Sequence, residues 1–420
     1  MKVTHLSTSD LGGAGIAAKN LHLALLEQGV DSSFVSKWHL GSEIKNHTTF
    51  QLPPSSFMTR LLNKAGQLAG RKTISLQDYY LENKPPGFEL FSFPWSELEP
   101  YSIKEIAQAD ILHLNWVADG FMDYGKLFVP GKKFVWTLHD MNPFTGGCHH
   151  SDGCMKFESN CNYCYQLAGT RDEYLSGKIL KYKLDALRDI KDEDLVVVAP
   201  SRWLAGLSSR SRLFGRFEHK VIRNIVDIAP LKIERDLVRM IYRVAPDETV
   251  FLFVAHHFDN PRKGLATLLS ALRGIKATGY RIFVIGEKTE VLNMKHVIQY
   301  GYVTNRHKLK ELYALADAFL LPSMAENFPN TIAEALLCGT PVIASNVGGI
   351  TEQINGTNGI LVEPGNIKAW TETLQDFMQN RQRFDRMAIQ NDALRAYNPK
   401  DVVKAYLEVY NKLMKYNVSE

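Results

Sequence analysis

Two glutamates eight residues apart, Glu326 and Glu334, lie in the segment "SMAENFPNTIAEALLCGTPVIASNVGG". The first follows a strand-like run, and the second falls in a helical pattern with Asn330 as its predicted N-cap and Gly339 and Pro341 at its end. A helix start beyond a strand offers N–H groups and a positive dipole to an anion, so the segment predicts a phosphate-sized site whose carboxylates accept ligand hydroxyls. Glutamates that only stabilise the helix start are an equally consistent interpretation.

Polar side chains also follow two other strand-like runs. In "VFLFVAHHFDNPRKGLATLL", Arg262 and Lys263 come between such a run and a helical pattern. Two adjacent cations at a strand end suit a diphosphate, and a solvated turn is the alternative. In "FVWTLHDMNPF", His139 and Asp140 leave another strand end, where they could meet a ligand hydroxyl, although a lone histidine is more often structural.

The first strand-like run leads into a glycine-rich stretch, "STSDLGGAGIAAKN". Gly13, Gly15 and Ala18 match a dinucleotide-binding fingerprint, which would suggest an NAD-dependent oxidoreductase. That fingerprint also expects an acidic residue about 20 positions further on, where the second strand ends in Lys37 instead. We therefore interpret Gly12 and Gly13 as a tight turn that lets a ligand approach the backbone closely.

Four of the five cysteines lie within 17 residues, in "CHHSDGCMKFESNCNYC". They are Cys148, Cys154, Cys161 and Cys164. In a reducing compartment disulfides are not expected, and four thiols in one loop match the ligand count of a structural zinc site. The rival interpretation is free reduced thiols, with His149 and His150 as alternative ligands.

The composition bounds the class of protein that these residues belong to. A chain of 420 residues exceeds one compact core and suggests two or three domains, and 45% hydrophobic with 22% charged residues is typical of a globular protein. A net charge of +4 gives little support to a nucleic-acid partner. Neither a membrane-spanning apolar run nor a secretory signal is visible in the sequence, so we expect a cytoplasmic location.

Apolar, strand-like runs alternate with amphipathic stretches in two successive series. The runs cover residues 2–7, 111–116, 133–138 and 194–201, and then 250–255, 280–286, 318–323, 341–345 and 359–364. Two such series predict two doubly wound α/β domains, each with a parallel sheet.

We place the first domain at 1–228, with a variable region at 40–105, and the second at 235–398. A last helix at 399–420 is expected to pack back towards the first domain. Within the variable region, 54–72 is interpreted as a core-packing helix with a solvated basic side or as a membrane-surface helix.

Taken together, these residues resemble glycosyltransferase family 4 (glycosyl transferases group 1), the retaining nucleotide-sugar enzymes of GT-B architecture. The motifs "RKG", "LLPSMAENFPNTIAEALLCGTPVIAS" and "NVGGITEQI" fall in the family's order and spacing over roughly 245–365. The resemblance implies two Rossmann-like domains that face each other across a cleft, an acceptor-side domain first and a nucleotide-sugar donor domain second. It fails over 40–105, the zone that usually shapes the acceptor site.

The resemblance also implies roles for residues of the donor domain. Glu326 would lie by the donor sugar, Glu334 would hold the ribose, and the amides of Asn327 and Phe328 would serve the donor. Lys263 matches the family's phosphate-binding lysine. The family's arginine a few positions earlier has no counterpart here, and Arg262 is the cation that could replace it.

In the first domain, His139 matches the family's histidine by the donor sugar, and Gly12 and Gly13 match its glycine-rich first loop. Glu326 and His139 are thus the predicted catalytic residues.

The implied reaction is transfer of a sugar from a UDP- or GDP-sugar to a saccharide or lipid-linked saccharide, with retention, as in surface polysaccharide biosynthesis. Cations and a helix N-terminus would stabilise the leaving diphosphate, so no metal is required for catalysis. The Asp-x-Asp triplet at 192–194 precedes a strand, whereas metal-dependent sugar transferases carry theirs after one. Peripheral contact with the membrane is a further expectation. A sugar-nucleotide epimerase, a phosphorylase and a non-catalytic nucleotide-sugar sensor remain alternatives.

Overall fold

The computed structural model describes residues 1–415, apart from 42, 51–81, 83–84, 86, 89, 169–171, 228–233 and 256–259. The segment 54–72, with its two alternative helix interpretations, lies outside the described residues. None of the described helices is long and apolar enough to cross a membrane.

The chain forms two units, and each is built on one parallel sheet. Unit 1 comprises Met1–Pro200, Leu204–Ile222 and Val403–Glu420, and unit 2 comprises Ser201–Trp203 and Arg223–Val402. Two doubly wound α/β units are what the repeated strand–helix pattern predicts, and this fold class is confirmed.

Unit 1 contains a seven-stranded sheet in the order β3-β2-β1-β4-β5-β6-β7. Its strands are β1 Lys2–Ser9, β2 Asp31–Trp38, β3 His47–Thr49, β4 Ile111–Leu114, β5 Lys133–Thr137, β6 Leu195–Ala199 and β7 Glu218–Val221. The helices of this part of the chain are α1 Gly12–Glu27, α2 Lys104–Ala107, α3 Tyr124–Leu127, α4 Leu175–Ala186 and α5 Arg202–Arg210.

Unit 2 contains a six-stranded sheet in the order β10-β9-β8-β11-β12-β13. Its strands are β8 Thr249–Val254, β9 Tyr280–Ile285, β10 Val297–Gly301, β11 Ala318–Leu321, β12 Val342–Ser345 and β13 Gly359–Val362. Its helices are α6 Arg235–Ile241, α7 Leu265–Gly274, α8 Arg306–Leu315, α9 Asn330–Leu337, α10 Ile367–Gln379 and α11 Arg386–Ala396. The last helix of the chain is α12 Pro399–Lys415.

The central strands are buried along most of their length because helices cover both faces of a doubly wound sheet. Every residue of β5 and of β6 is buried, for example. The strands that the sequence analysis did not predict, β3, β7 and β10, contain no fully buried residue, so they present no apolar run. All three lie at an edge of their sheet.

Helix α12 packs its apolar side on the sheet of unit 1. Tyr406 and Tyr410 are buried, and their hydroxyls lie 2.9 Å from Thr137 Oγ1 and 2.6 Å from His113 Nδ1. These polar contacts satisfy groups inside an otherwise apolar layer. The chain therefore returns to unit 1 after completing unit 2.

Three histidines form a buried column in unit 1. The ring centroids of His5 on β1 and His113 on β4 are 4.6 Å apart, and His22 on α1 lies 5.8 Å from His5. Burial lowers the pKa of His22 to about 4, lowers that of His113 to about 3 and holds that of His5 well below its usual value. All three rings are therefore neutral at neutral pH.

We expect this column to make the protein less stable in mild acid. An unfolded histidine has a pKa of about 6.5, so below that pH the unfolded chain binds protons that the folded chain does not. Each ring should lower the free energy of unfolding by roughly 2 kcal/mol between pH 7 and pH 5. Urea unfolding at the two pH values measures the effect. His113→Gln should weaken the pH dependence whatever it does at pH 7, and equal stability at both pH values would contradict the expectation.

Candidate active site

In unit 2, two loops meet at the carboxyl ends of the paired strands β8 and β11. The first contains a short 3-10 turn, Pro261–Lys263, followed by Gly264 in a left-handed conformation with φ of 71°. A Cβ on Gly264 would lie 1.8 Å from the carbonyl oxygen of Pro322, so only glycine lets the loops approach this closely. The Met324 N–H then donates to the Arg262 carbonyl oxygen at 2.7 Å.

Three predicted site residues meet at this junction, where Arg262 and Lys263 both contact one carboxylate oxygen of Glu326. Glu326 Oε1 lies 2.7 Å from Lys263 Nζ and 3.0 Å from Arg262 Nη1. Ser323 Oγ also donates to it at 3.0 Å, and Arg262 Nη1 donates to the Ala325 carbonyl oxygen at 2.6 Å. Among the described residues, two cations thus share one carboxylate in a poorly solvated place, an arrangement that suits an anionic ligand.

Glu334 lies on α9 and contacts α8. Its Oε2 accepts a hydrogen bond from the Tyr313 hydroxyl at 3.0 Å. Burial raises the pKa of the Glu334 carboxyl and Asp227 adds to this rise, while the Tyr313 hydroxyl and the charges of Arg306 and Lys310 oppose it. A partly desolvated carboxylate of this kind accepts hydrogen bonds from neutral hydroxyls strongly.

The helix start differs from the prediction by one residue. Pro329 occupies the N-cap position of α9 without a capping hydrogen bond, and Asn330 is the first helical residue. The side chain of Asn330 instead accepts a hydrogen bond from Asn224 Nδ2 at 3.0 Å. A proline side chain cannot accept a hydrogen bond, so Pro329 does not cap the N–H groups of the first turn.

Asn327 and Phe328 fix the same loop through their side chains. Asn327 Oδ1 accepts a hydrogen bond from Ser201 Oγ at 2.7 Å, and both residues are buried. The ring of Phe328 is buried near Tyr397. These side chains hold the loop in place, which is what a role of the backbone amides in ligand binding requires.

Two glycines, Gly348 and Gly349, pack against the backbone of this loop. Both lie in the quoted segment, but they were not predicted as site residues. A Cβ on Gly348 would lie 2.0 Å from the Glu326 carbonyl oxygen, and one on Gly349 would lie 1.8 Å from that of Asn327. The Gly349 N–H donates to the Glu326 carbonyl oxygen at 3.3 Å. The glycine pair in the sequence "NVGG" was the signal that could have identified these two residues.

We expect Gly349→Ala to displace the Glu326–Asn327 loop. Because a Cβ there would meet backbone, overpacking should lower the free energy of unfolding by about 1–3 kcal/mol. The displaced loop should also reduce catalytic activity. Denaturant unfolding together with an activity assay measures both effects. Gly356→Ala is the matched control, since a Cβ on Gly356 would meet no described atom within 4 Å. Equal stability and activity of the two variants would contradict the expectation.

In unit 1, His139 and Asp140 follow β5. His139 Nε2 lies 3.4 Å from Asn115 Oδ1. Burial lowers the pKa of His139 to about 4 although the Asp140 charge opposes the shift, so the imidazole is neutral at pH 7. A neutral ring can donate or accept a hydrogen bond but cannot supply a positive charge.

Asp140 is held by a hydrogen-bond network that the sequence analysis did not predict. Its Oδ2 lies 2.7 Å from both Trp116 Nε1 and His149 Nδ1, and His149 Nε2 lies 2.8 Å from Ser92 Oγ. The Asn142 N–H donates to Oδ1 at 2.8 Å. Burial would raise the pKa of Asp140, but the charges of His149 and His150 and these hydrogen bonds outweigh it and lower the pKa to about 2.

This network changes the interpretation of His149. The order Ser92, His149, Asp140 matches that of a hydrolase triad, but the Ser92 hydroxyl is buried where no substrate reaches it. Both ring nitrogens of His149 have partners, so its role as an alternative metal ligand is not supported. It orients Asp140 instead.

The glycines after β1 form the start of helix α1, and the described residues leave room for a Cβ at the first two of them. Gly12 has φ of 73°, and a Cβ on Gly12 or Gly13 would meet no described atom within 4 Å. Gly15 differs, because a Cβ there would lie 2.3 Å from the Ser9 carbonyl oxygen. Gly15 thus allows α1 to pack closely on β1, whereas Gly12 and Gly13 leave space above the backbone.

The four clustered cysteines, Cys148, Cys154, Cys161 and Cys164, line one cavity in unit 1. In the described part of the chain, no group of three or more His, Cys, Asp or Glu side chains is arranged to hold a metal ion. The cysteines are reduced thiols in this structure.

Comparison with known proteins places this architecture in a class. Sucrose-phosphate synthase from Thermosynechococcus elongatus superposes with a TM-score of 0.66 at 16% identity, over 99% of this chain and 100% of that one. HepE from Anabaena in complex with UDP superposes with a TM-score of 0.62 at 18% identity, over 98% and 100%. The two units thus have the GT-B fold of glycosyltransferases, as predicted.

Sequence comparison finds a related family and related proteins. Residues 248–380 match the family model described as glycosyl transferases group 1. The putative colanic acid biosynthesis glycosyl transferase WcaC of Escherichia coli K12 is 25% identical over 356 residues, which is 83% of this chain and 84% of that protein. Over residues 248–380 the chain is thus similar to the group 1 glycosyl transferases, the family that its motifs resemble.

Proposed function

We propose that the chain is a retaining glycosyltransferase that moves a sugar from a UDP- or GDP-sugar to a saccharide or lipid-linked saccharide. The observation that carries this proposal is the convergence of Arg262 and Lys263 on the loop that opens α9. Two cations beside a helix N-terminus suit the paired phosphates of a nucleotide sugar. The similarity to a colanic acid transferase supports a role in surface polysaccharide biosynthesis.

In this proposal the diphosphate shares the cations that Glu326 contacts in the ligand-free protein. Glu326 then also accepts hydrogen bonds from the donor sugar, and the backbone amides of Asn327 and Phe328 donate hydrogen bonds to the same ligand. Glu334 accepts hydrogen bonds from the ribose hydroxyls. The contacts that the protein already makes keep the site organised before binding, and the donor then replaces some of them.

For the reaction, we propose that the acceptor hydroxyl attacks the anomeric carbon on the face from which the diphosphate leaves. The bond between that carbon and the diphosphate oxygen breaks, a bond to the acceptor oxygen forms, and the acceptor proton passes to the departing oxygen. Arg262, Lys263 and the helix N-terminus stabilise the developing negative charge, so the transfer requires no metal.

The first unit supplies the remaining proposed site residues. His139, with its neutral ring, is proposed as a hydrogen-bonding partner of the donor sugar and, in addition to Glu326, as the second catalytic residue. The glycine-rich start of α1, at Gly12 and Gly13, is proposed to let the ligand approach the backbone closely.

A thermal-shift panel of UDP-, GDP- and ADP-sugars beside NAD tests the ligand class. A bound ligand raises the apparent stability by mass action, so one UDP- or GDP-sugar should raise the melting temperature and NAD should not. Stabilisation by NAD alone would overturn the proposal. Transfer of the same sugar to a saccharide acceptor distinguishes an enzyme from a sensor, and NMR of the product linkage should show the anomeric configuration of the donor.

If the acceptor is lipid-linked, the enzyme should work in the cytoplasm at the membrane face. Co-sedimentation with vesicles that contain anionic phospholipid tests this part of the proposal separately. Binding that is lost at high salt is expected for a peripheral contact. Protein that stays in the supernatant at low salt would contradict it.

A further inference from the structure

The four cysteine thiols of unit 1 surround one small space. Cys148, Cys154, Cys161 and Cys164 all line a cavity of about 20 Å³, together with the rings of Phe91 and Phe157. This volume is close to that of a single small occupant. The fifth cysteine, Cys338, belongs to unit 2.

The backbone around these thiols is tightly turned. Two 3-10 turns are described in this region. Lys156–Glu158 lies between the second and the third cysteine, and Tyr165–Leu167 directly follows the fourth. Asp152, Cys161 and Tyr163 have φ of 49°, 55° and 55°, and they are three of the six non-glycine residues with positive φ in the described chain. Such conformations persist when the surroundings fix them.

Hydrogen bonds fix the backbone that carries these cysteines. The Thr145 hydroxyl donates to the Cys148 carbonyl oxygen at 2.7 Å, the Leu167 N–H donates to the Cys164 carbonyl oxygen at 3.0 Å, and the Ser176 hydroxyl donates to the Cys161 carbonyl oxygen. Burial raises the pKa of the Cys148, Cys161 and Cys164 thiols, so a metal ion would have to displace their protons.

Two lysines lie near the same group of sulfurs. Lys183 is fully buried near Cys148 and Cys161, and burial lowers its pKa to about 8 although these two groups oppose the shift. Lys156 interacts with Cys164. A zinc ion with four thiolate ligands carries two negative charges, and these two lysines would balance them.

We propose that the four cysteines bind one structural zinc ion in tetrahedral geometry. On binding, each thiol releases its proton to solvent, four sulfur–zinc bonds form, and no electron is transferred. The side chains must rotate inward, because the thiols do not stand at ligand positions around one point in this structure.

The zinc would hold the loop that positions Asp140. Cys148 forms an isolated antiparallel bridge with Phe91, and each neighbours a residue of the Asp140 network, His149 and Ser92. Fixing Cys148 therefore fixes the histidine that orients Asp140. This inference concerns residues of unit 1, whereas Arg262 and Lys263 belong to unit 2, so it can fail while the proposed function holds.

Metal analysis of the wild-type protein tests the proposal without any variant. Protein purified without added metal should contain one zinc per chain, and X-ray absorption should show four sulfur ligands at about 2.3 Å. Zinc that is absent, or that is bound by oxygen and nitrogen alone, would overturn the proposal. So would five thiols that all react rapidly with a thiol reagent in the folded protein as purified, before any chelator or denaturant is added.

Matched cysteine variants locate the ion. Cys164→Ser should lose most of the zinc, whereas Cys338→Ser should keep one zinc per chain. If Cys164→Ser does not fold, thiol titration of the wild type decides instead: modifying the clustered thiols with a mercurial should release one zinc per chain. Full zinc content in a folded Cys164→Ser variant, or no release on titration, would contradict the assignment.

Discussion

Lys263→Ala is expected to lower kcat/KM for the nucleotide sugar about 10²–10³-fold, the loss typical of removing one group that stabilises developing charge. Lys263 Nζ lies in the cluster that is proposed to face the leaving diphosphate. The loss should appear in kcat as well as in KM, because the negative charge on the leaving group increases as the bond breaks. Initial rates over a range of donor concentrations measure both parameters.

Two further variants make this result specific. Lys263→Arg should recover part of the activity, since it keeps the charge but changes its geometry. Lys368→Ala removes a lysine on α10 whose side chain is 85% exposed, and it should leave kcat/KM unchanged. Full activity of Lys263→Ala would show that the diphosphate binds elsewhere.

Glu326→Gln is expected to separate catalysis from nucleotide binding. In the ligand-free protein the Glu326 carboxylate is in contact with both Arg262 and Lys263, so a diphosphate must compete with it for them. Glutamine keeps the size and removes the charge. We therefore expect kcat to fall about 10²-fold, while the nucleoside diphosphate binds as tightly as before or more tightly.

Calorimetric titration with UDP and GDP, together with transfer rates, measures the two effects of Glu326→Gln. Glu372→Gln on α10 is the matched control, because this carboxylate is 65% exposed, and it should change neither quantity. Weaker nucleotide binding with an unchanged kcat would contradict the proposed role of Glu326. Thermal unfolding should accompany both measurements to confirm that the variants are folded.

The sequence predicted most of the fold because the buried strands of a doubly wound sheet are short apolar runs between helices. β5 and β6 were recognisable for this reason. β7, with the sequence EHKV, is an edge strand with two exposed residues, so the pairing that makes it a strand leaves no apolar pattern. Edge strands are defined by their neighbour in space, which the local sequence does not encode.

The candidate site was predicted residue by residue, but its contacts were not. Arg262 and Lys263 follow β8, and Glu326 follows β11, and each was predicted from its position after a strand. That they share one oxygen atom depends on the pairing of β8 with β11, which are separated by two intervening strands in the chain. The sequence pattern gave the ends of the strands, and the sheet order brings them together.

The Asp140 network was missed for a related reason. Ser92 comes from a region without periodic structure, and the sequence analysis treated His149 only as an alternative metal ligand. Its contact with Asp140 requires the chain to turn back after β5, and the local pattern does not predict that turn. The cysteine cluster was easier to recognise, because four thiols at short spacing remain close in any compact loop.

The central claim is that unit 2 binds the diphosphate of a nucleotide sugar at Arg262 and Lys263. The most direct test is a crystal structure of the protein with a bound nucleoside diphosphate that stabilises it. We predict phosphate oxygens within hydrogen-bonding distance of Lys263 Nζ and of N–H groups at the start of α9, with the ribose on Glu334. A nucleotide bound at another place, with the Lys263–Glu326 contact unchanged, would contradict the account.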